Sequence, residues 1–284
     1  MISVLESIKL STDYLNGKGI ESPRVNAELL LADILGCKRL ELYLIFDKPL
    51  SDDEILKYRM FIKRRGNFEP LQYILGKVEF YGLDFFVNPS VLIPRPETEI
   101  LIETILKNLS RDKEQMILDI GCGSGIISIT LAVNLEKAVI IATDINDQAL
   151  KLAKQNSVMH NVSNKINFIQ HNILTEGLND LPTFDIIVSN PPYVSKENYS
   201  SLQKEIIQFE PRIAVTDEND GYTFYKVITE KAFSKLKGNG RLIFEIAQGQ
   251  SEAVRKIMEQ NNFINIKVIK DFQNIDRVVY GELN

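Results

Sequence analysis

Residues 117–125 read Ile117-Leu118-Asp119-Ile120-Gly121-Cys122-Gly123-Ser124-Gly125, an apolar run that passes directly into a glycine-rich loop. Short apolar runs of this kind are typical of buried strands, and a helical pattern follows the loop. Glycines let the backbone turn tightly and allow a ligand to approach without meeting a Cβ atom. The stretch therefore predicts a strand, a ligand-binding loop and a helix in series, as in open α/β sheets.

A carboxylate after the next predicted strand narrows the choice of ligand. Asp144 lies 23 residues after Gly121, where its oxygens can accept hydrogen bonds from ribose hydroxyls. Dinucleotide loops require Gly-x-Gly-x-x-Gly, but Ile126 stands in place of the third glycine and Gly125 comes one residue early. NAD is therefore disfavoured, whereas S-adenosylmethionine has a ribose but no pyrophosphate. A tight turn without a ligand is the alternative interpretation.

Strands alternate with helices from about Glu97 onward, which predicts a mostly parallel sheet covered on both faces. The last two strands leave no room for a helix between them, so the final strand should run antiparallel. The predicted strands are Met116–Ile120, Val139–Thr143, Asn167–Gln170, Phe184–Ser189, Arg241–Ile246, Asn265–Ile269 and Arg277–Tyr280. The predicted helices are approximately Gly125–Leu135, Asp147–His160, Tyr222–Lys237 and Gln250–Asn261.

The N-terminal part has a different pattern. Apolar residues recur at helical spacing as far as about Phe68, and Ser51 with Glu54 forms a capping box at one helix start. That helix ends in a basic cluster, 63–65, which we interpret as a solvated charge run with Gly66 as the C-cap; contact with an acidic partner or RNA is the alternative. Two β-prone runs about Gly82 predict a hairpin. We therefore predict a helical domain at 1–73, a hairpin linker at 74–90 and a catalytic domain at 91–284.

Composition argues against several classes of protein. No apolar stretch approaches the roughly 20 uncharged residues that a membrane span needs, and the N-terminus lacks the pattern of a signal peptide. Cys37 and Cys122 are the only cysteines and have no metal-ligand spacing, so we expect no metal and a cytoplasmic location. The net charge of −5 argues against a broad surface for nucleic acid.

The tetrapeptide Asn190-Pro191-Pro192-Tyr193 follows the predicted strand Phe184–Ser189. Two consecutive prolines fix φ twice and favour extended conformations before them, which makes the loop stiff. The Asn190 side-chain oxygen and the Pro191 carbonyl can then lie side by side and accept both hydrogens of a planar NH₂ group. A carboxamide or the exocyclic amine of adenine fits this pair, and Tyr193 can cover the target with its ring.

This pair of acceptors predicts methyl transfer to nitrogen. An amide nitrogen is a poor nucleophile because its lone pair is delocalised into the carbonyl. Holding both hydrogens favours a pyramidal nitrogen and aims the lone pair at the methyl group, so positioning and charge stabilisation supply most of the rate. A strong general base is not required, consistent with only two histidines, His160 and His171. A rigid loop in which Asn190 only caps the strand end is the alternative interpretation.

The chain resembles the release-factor glutamine methyltransferases of the HemK/PrmC type over nearly its whole length. The resemblance implies a class I, Rossmann-like α/β fold. Its parts are a seven-stranded, mostly parallel sheet with helices on both faces, a small N-terminal helical domain and a linking β-hairpin. The resemblance rests on Ile93-Pro94-Arg95-Pro96-Glu97-Thr98-Glu99, the Gly121–Gly125 loop, Asn190–Tyr193, Phe209-Glu210-Pro211-Arg212 and the ending Asp271…Asp276-Arg277.

The family's reaction follows as an implication of this resemblance. It is methyl transfer from S-adenosylmethionine to the side-chain amide of the glutamine in the Gly-Gly-Gln motif of peptide chain release factors, with S-adenosylhomocysteine as product. Asn190–Tyr193 would hold that glutamine, the N-terminal domain would help to grip the protein, and residues 94–99 would cover the pocket. Neither a membrane nor nucleic acid is expected as a partner. Asn172 departs from the usual acidic residue that binds the adenine amino group, and Asn274 departs from the usual glycine.

The predicted site has three parts. The predicted catalytic residues are Asn190, Pro191 and Tyr193. The predicted cofactor-binding residues are Gly121, Cys122, Gly123, Ser124, Gly125, Asp144, Asn172, Ile173 and Asn190. The predicted substrate-binding residues are Asn190, Pro191, Pro192, Tyr193 and Arg95.

Three other functions stay open at this point. An adenine-N6 methyltransferase of nucleic acid would use the same tetrapeptide but should carry a basic recognition region. A glutamine methyltransferase acting on a ribosomal protein would share most of the motifs. A ligand sensor or scaffold would keep the fold without the reaction.

Overall fold

The structure, a computed structural model, describes residues 2–107, 109 and 113–283. Its contacts divide the chain into two units, Met1–Lys77 with Gln203–Phe209, and Val78–Leu202 with Glu210–Asn284. Met1 and Asn284, the outer limits of the predicted domains, lie outside the described residues. The domain limits 1–73, 74–90 and 91–284 stay a prediction.

The described residues form helices and strands in the following order. The α-helices are α1 (Val4–Gly17), α2 (Pro23–Leu35), α3 (Asp52–Gly66), α4 (Leu71–Leu75), α5 (Thr98–Lys107), α6 (Ile126–Asn134), α7 (Asp147–Met159), α8 (Lys196–Tyr199), α9 (Lys204–Phe209), α10 (Arg212–Val215), α11 (Thr223–Phe233) and α12 (Ser251–Gln260). The strands are β1 (Lys77–Phe80), β2 (Leu83–Phe86), β3 (Gln115–Ile120), β4 (Ala138–Asp144), β5 (Ile166–Gln170), β6 (Phe184–Ser189), β7 (Leu236–Glu245), β8 (Phe263–Lys270) and β9 (Asp276–Leu283). Short 3₁₀ helices lie at Arg39–Leu44 and Ser163–Lys165.

Helix α3 confirms its predicted start and corrects its predicted end. The Ser51 side chain accepts from the Glu54 amide at 3.3 Å, and the Glu54 carboxylate accepts from the Ser51 amide at 2.7 Å. Gly66 is the last helical residue and Asn67 is the C-cap, so the prediction that Gly66 caps the helix was wrong. A Cβ atom at Gly66 would lie 2.6 Å from the ring of Tyr14, so glycine is needed there for close packing of α1 against α3.

The basic end of α3 was predicted to be a solvated charge run, which is wrong for Arg65. That side chain is buried and donates to Glu205 at 2.6 Å and to Asn26 at 2.7 Å. Its neighbour Arg64 pairs with Glu69 at 2.6 Å. Buried cations are retained where they are paired and hydrogen-bonded, as Arg65 is, whereas the Arg64 side chain is 42% exposed.

Seven strands of the second unit form one sheet in the order β5-β4-β3-β6-β7-β9-β8. Strands β3 to β7 pair in parallel, and β9 runs antiparallel to both β7 and β8. Both features confirm the predicted fold class. Strands β1 and β2 form the separate hairpin expected about Gly82.

Successive residues of the sheet strands point to opposite faces, and each face has its own apolar core. Ile117 of β3 packs in the core beneath α5, α6 and α7, whereas the next residue, Leu118, packs in the core formed with α11 and α12. Helices therefore cover both faces, as predicted. A third apolar core lies within the first unit.

One predicted helix was too long. Residues Tyr222–Lys237 were predicted as helical, but α11 ends at Phe233 and Leu236 already pairs with Phe184 as part of β7. Strand β7 begins five residues before its predicted start because Leu236 pairs with Phe184 of β6. The register of β7 against β6 is irregular between Phe184 and Ile186, which accommodates the glycines that follow Leu236.

The parallel strands end at a common edge of the sheet, where β3, β4, β5 and β6 each pass into a loop. That edge is where open α/β sheets bind ligands. In the described part of the chain, no helix combines the length and the apolar character that crossing a bilayer requires.

Candidate active site

A cavity of about 460 Å³ lies at the carboxyl ends of the parallel strands. Its lining contains most of the residues that the sequence predicted for the site. These are Arg95, Gly121, Cys122, Gly123, Ser124, Asp144, Asn172, Ile173, Asn190, Pro191 and Pro192. Two predicted site residues, Gly125 and Tyr193, are not among the described residues that line the cavity.

The glycine loop is held by backbone hydrogen bonds to the end of β4. The amides of Gly121 and Cys122 both donate to the carbonyl of Thr143, at 2.8 and 2.9 Å. Gly121 and Gly123 have φ values of +76° and +56°, and a Cβ atom at either position would meet no heavy atom within 4 Å. Glycine is therefore required for the backbone conformation, and the space beside the loop is open to a ligand.

Gly125 has a different role from the other two glycines. Its φ is +85°, and a Cβ atom would lie 2.9 Å from Ile129 and 3.1 Å from Ala153 of α7. The residue caps the start of α6, so its missing side chain permits α6 and α7 to pack closely. Cys122 is buried in the same loop, and burial raises the pKa of its thiol well above the usual value. A thiol in that state is a small packing residue rather than a nucleophile.

Asp144 lies at the end of β4 and faces the glycine loop. One carboxylate oxygen accepts from the amide of Gly123 at 2.9 Å, and the other accepts from the amide of Asn146 at 2.9 Å. Burial raises the pKa of this carboxyl, and the backbone hydrogen bonds oppose that shift. Each oxygen has two lone-pair sites, so acceptor capacity remains for ligand hydroxyls.

A second buried acid stands behind the glycine loop and was not among the predicted site residues. Asp119 of β3 is fully buried and accepts from the hydroxyl of Ser128 at 2.5 Å and from its amide at 3.2 Å. The pKa of Asp119 is raised to about 7, mainly by burial and in smaller part by the charge of Asp144, while the hydrogen bonds from Ser128 oppose the shift. The signal in the sequence was a lone carboxylate inside the apolar run before the loop.

The residues after β5 line another wall of the cavity. The Asn172 side-chain oxygen accepts from the Leu174 amide at 3.0 Å, which makes a local turn. Ile173 is buried, and its carbonyl accepts from Lys231 at 2.5 Å. One lone pair of the Asn172 oxygen stays available, and the Ile173 side chain supplies an apolar surface for a flat ring.

The Asn190 loop leaves the end of β6 with its side-chain amide oriented. The Asn190 NH₂ group donates to the hydroxyl of Thr98 at 3.3 Å, so the side-chain oxygen is the end of the amide that is free to accept. Ser189 anchors the strand end through its hydroxyl, which donates to the Ile120 carbonyl at 2.7 Å. This hydrogen bond joins the end of β6, where the Asn190 loop begins, to the end of β3, where the glycine loop begins.

Tyr193 is the last residue of this loop, and its side chain packs against the core that contains α11 and α12. Burial raises the pKa of its hydroxyl. Its carbonyl accepts from the side chain of Gln250 at 3.1 Å, while the oxygen of the same Gln250 side chain accepts from the Ala247 amide at 3.1 Å. A Cβ atom at Gly221 would lie 2.6 Å from the Tyr193 carbonyl, so this exit from the loop is closely enclosed. Sequence reasoning missed Gln250, which no local pattern marks.

Arg95 lines the cavity and is held by a buried carboxylate. It donates to one oxygen of Glu210 at 2.5 Å, and the amide of Ile93 donates to the other oxygen at 3.1 Å. The resemblance includes Glu210 in the run Phe209-Glu210-Pro211-Arg212 but does not say what this carboxylate contacts. The structure shows an ion pair that ties residues 93–95 to the segment after α9.

Glu245, at the end of β7, is a further buried acid that was not among the predicted site residues. It is 2% exposed, and its Oε2 atom has no hydrogen-bond partner among the described residues. Burial raises its pKa to about 7, and hydrogen bonding to the side chains of Thr98 and Asn190 acts in the opposite direction. The only signal in the sequence was a single acid in the apolar run 241–246.

Across residues 2–107, 109 and 113–283, no group of three or more His, Cys, Asp or Glu side chains is arranged to hold a metal ion. The polar groups that line the cavity include backbone N–H groups, which donate hydrogen bonds, and carboxylate and amide oxygens, which accept them.

Two families match separate parts of the chain. Residues 6–76 match the PrmC N-terminal domain, and residues 96–216 match the Methyltransferase small domain. The second match contains the glycine loop, Asp144 and the Asn190 loop.

Similar proteins match nearly the whole chain. A release factor glutamine methyltransferase of Fusobacterium nucleatum is 40% identical, over 98% of this chain and 78% of that protein. Another of the same name from Chlorobaculum tepidum is 38% identical, over 97% of this chain and 95% of that protein. A solved methyltransferase of Pyrococcus furiosus shares the fold with a TM-score of 0.52 at 18% identity, over 72% of this chain and 90% of that one.

Proposed function

The chain belongs to the release factor glutamine methyltransferase family, and on that premise we propose which residues carry the reaction and on what substrate. The reaction is transfer of a methyl group from S-adenosylmethionine to the side-chain amide nitrogen of the glutamine in the Gly-Gly-Gln motif of peptide chain release factors. The proposal rests on one observation: residues of the glycine loop and of the Asn190 loop line the same cavity.

The cavity lining suits S-adenosylmethionine, which supplies an electrophilic methyl group when bound. The open space beside Gly121 and Gly123 accepts the amino acid part without a Cβ in the way. Asp144 keeps lone pairs for the ribose hydroxyls. Asn172 offers one lone pair to the adenine amino group, and Ile173 packs on the ring. The product is S-adenosylhomocysteine, and the reaction uses no metal.

The substrate glutamine is held by the Asn190 loop. With its NH₂ group on Thr98, Asn190 presents its oxygen to the substrate amide, and the Pro191 carbonyl is the second acceptor. Both hydrogens of the target nitrogen are then held while its lone pair points along the line of displacement. Orientation of this kind lowers the barrier without a strong base. The proton leaves after the carbon–nitrogen bond has formed.

Three further roles belong to this proposal. Tyr193 stiffens the loop from below, since its side chain packs in the core. Arg95, held by Glu210, contacts the backbone of the substrate. The helical first unit grips the release factor through exposed apolar residues such as Leu40 and Leu44, which are 71% and 84% exposed. Free thiols at Cys37 and Cys122 support a reducing compartment, the cytoplasm.

A labelling experiment tests the function. The purified chain is incubated with methyl-labelled S-adenosylmethionine and an unmethylated release factor, beside a copy whose Gly-Gly-Gln glutamine is replaced by alanine. We expect label on the first protein and none on the second. Label on both would move the target residue elsewhere, and label on neither would redirect the search to ribosomal proteins and to adenine in nucleic acid.

A further inference from the structure

We propose that Glu245 and Thr98 are positioning residues that set which end of the Asn190 amide faces the substrate. The inference deepens the proposed function and rests on it, because it concerns the orientation of the group that holds the target nitrogen. Neither residue needs to touch the substrate nitrogen for this role. Their effect passes through Asn190.

The need for such a device follows from the shape of the asparagine side chain. The oxygen and the NH₂ group are nearly equal in size, so a half-turn of the amide exchanges an acceptor for a donor with little steric cost. An NH₂ group facing the substrate NH₂ would oppose donor to donor and lose the bond. Packing alone does not choose between the two orientations, so a hydrogen-bond partner must choose.

Thr98 provides a partner on one side. Its hydroxyl accepts from the Asn190 NH₂ group at 3.3 Å, and this leaves the single hydroxyl proton free to be donated elsewhere. Thr98 is 1% exposed, so that proton requires a partner inside the protein. Glu245 lies beside Asn190 across β6 and β7, because the residues before them, Phe244 and Ser189, pair with each other. Hydrogen bonding to Thr98 and Asn190 lowers the pKa of Glu245.

Glu245 gives the chain of hydrogen bonds its direction. An ionised carboxylate only accepts, so it draws the Thr98 proton and the NH₂ group of Asn190 toward itself and turns the Asn190 oxygen away. The group is 2% exposed, and water does not compete for these donors. Its unpaired Oε2 atom marks a carboxylate whose demand for donors is not otherwise met in the described part of the chain.

The three residues come from separate parts of the chain. Thr98 begins α5, Asn190 follows β6 and Glu245 ends β7. Only the sheet brings them together, because β6 and β7 are neighbours and Ser189 pairs with Phe244 next to Glu245. A buried acid whose Oε2 atom has no hydrogen-bond partner among the described residues is costly for stability, and such a cost is commonly retained where it serves function.

Protonation of Glu245 should weaken the device. Its pKa is raised to about 7, mainly by burial and in part by the charge of Glu97, while Arg277 and the two hydrogen-bonding neighbours act in the opposite direction. The Tyr193 and Tyr225 hydroxyls also face it, and burial raises the pKa of both. A protonated Glu245 carries an O–H donor of its own and no longer specifies the direction of the chain. Methyl transfer should therefore rise with pH through about 7.

The test compares single-turnover methyl transfer from saturating S-adenosylmethionine in four variants and the wild-type protein. Thr98→Val removes the hydroxyl at constant shape, and Thr98→Ser restores it. Glu245→Gln keeps the shape but adds a donor. Thr229→Val is the matched control, since Thr229 is a fully buried threonine outside the cavity lining whose hydroxyl has no partner among the described residues.

We expect the rate of Thr98→Val to fall about 10-fold to 100-fold, with recovery in Thr98→Ser and no change in Thr229→Val. Wild-type protein should transfer about 10-fold faster at pH 8 than at pH 6, the ratio expected for one group with a pKa near 7. Glu245→Gln should be slow at both pH values and nearly flat between them. Unchanged affinity for S-adenosylmethionine shows that each variant is folded.

A second measurement is independent of activity. The side-chain NH₂ resonances of Asn190 in the ¹⁵N-labelled protein should move with pH near 7, and Glu245→Gln should abolish that movement. Wild-type transfer that persists in Thr98→Val and Glu245→Gln overturns the positioning role and leaves the proposed function intact. If the wild-type protein transfers no methyl group to the glutamine, the proposed function fails. In that case, the positioning role would be overturned as well if the Asn190 NH₂ resonances behave the same with pH in the wild-type protein and in Glu245→Gln.

Discussion

The two loops that line the cavity are ordered by different means. The glycine loop, 121–125, is held mainly by backbone groups, its amides bonding to Thr143 and to Asp144 of the neighbouring strand. The Asn190 loop, 190–193, contains two prolines and therefore has fewer backbone N–H groups that can donate hydrogen bonds. Side chains from distant parts of the chain hold it instead: Thr98 holds Asn190, and Gln250 holds Tyr193.

This difference separates two ways of building a site. A loop that bonds through its own backbone is largely specified by its local sequence and the adjacent strand. A loop stiffened by proline has lost donors and depends on side chains supplied by the tertiary structure. Changes to the first loop should act on cofactor binding, and changes to the supports of the second should act on the transfer step.

The strongest separation is expected for Asn190→Ala. Removing the acceptor should lower the transfer rate about 10²- to 10³-fold, because the target amide loses the bond that orients it. The affinity for S-adenosylmethionine, measured by calorimetry, should stay nearly constant. Asn167→Ala, at an exposed asparagine of β5, is the control. An equal loss of rate and cofactor affinity would contradict the proposed role of Asn190.

The reverse pattern is expected for Asp144→Asn. The new NH₂ group must face either the amide of Gly123 or that of Asn146, and it cannot accept a hydrogen bond from the amide that it faces. The charge-assisted bond that is lost is worth about 1.5–3 kcal/mol. Cofactor affinity should fall about 10- to 100-fold while the transfer rate at saturation changes little. Asp147→Asn, at an exposed position of α7, should bind the cofactor normally. If the rate at saturation falls and the affinity does not, the division between the loops is wrong.

A smaller effect on rate is expected for Gln250→Ala. The substitution leaves the Tyr193 and Gly221 carbonyls without their shared donor, which should cost about 1–3 kcal/mol in the free energy of unfolding. The transfer rate should fall about 10-fold with cofactor affinity unchanged, because only the loop exit moves. Gln260→Ala, at the exposed end of α12, provides the comparison in urea titrations and assays. A stable Gln250→Ala variant with full activity would remove Gln250 from the account of the loop.

Within the glycine loop itself, the expected effects are on the stability of the protein without cofactor. Gly125→Ala should lower the free energy of unfolding by roughly 2 kcal/mol or more, since a left-handed backbone and a Cβ atom close to α7 add together. Gly121→Ala should cost only about 1 kcal/mol, because its added Cβ meets open space. Urea unfolding without cofactor measures both. Equal losses in the two variants would show that the contact with Ala153 is readily relieved.

Much of the fold was predictable because it is written in short-range patterns. Apolar runs separated by helical spacing identified all seven strands of the sheet, and the short gap before the last strand required it to turn back. Helix α11 was predicted too long because its final residues have no local stop signal. Leu236 joins β7 only because Phe184 is present as a pairing partner.

The site divides along the same line. The Gly121–Gly125 loop, Asp144 and the Asn190 loop were predicted from the sequence because glycine and proline restrict the backbone locally and strand ends are marked by apolar runs, and residues of all three line one cavity. Asp119 and Glu245 were missed because a single acid in an apolar run gives no sign of its partner. Gln250 was missed because its role depends on a carbonyl 57 residues away. Hydrogen bonds between residues distant in the chain carry no local pattern, so only the assembled sheet decides which side chains orient Asn190 and Tyr193.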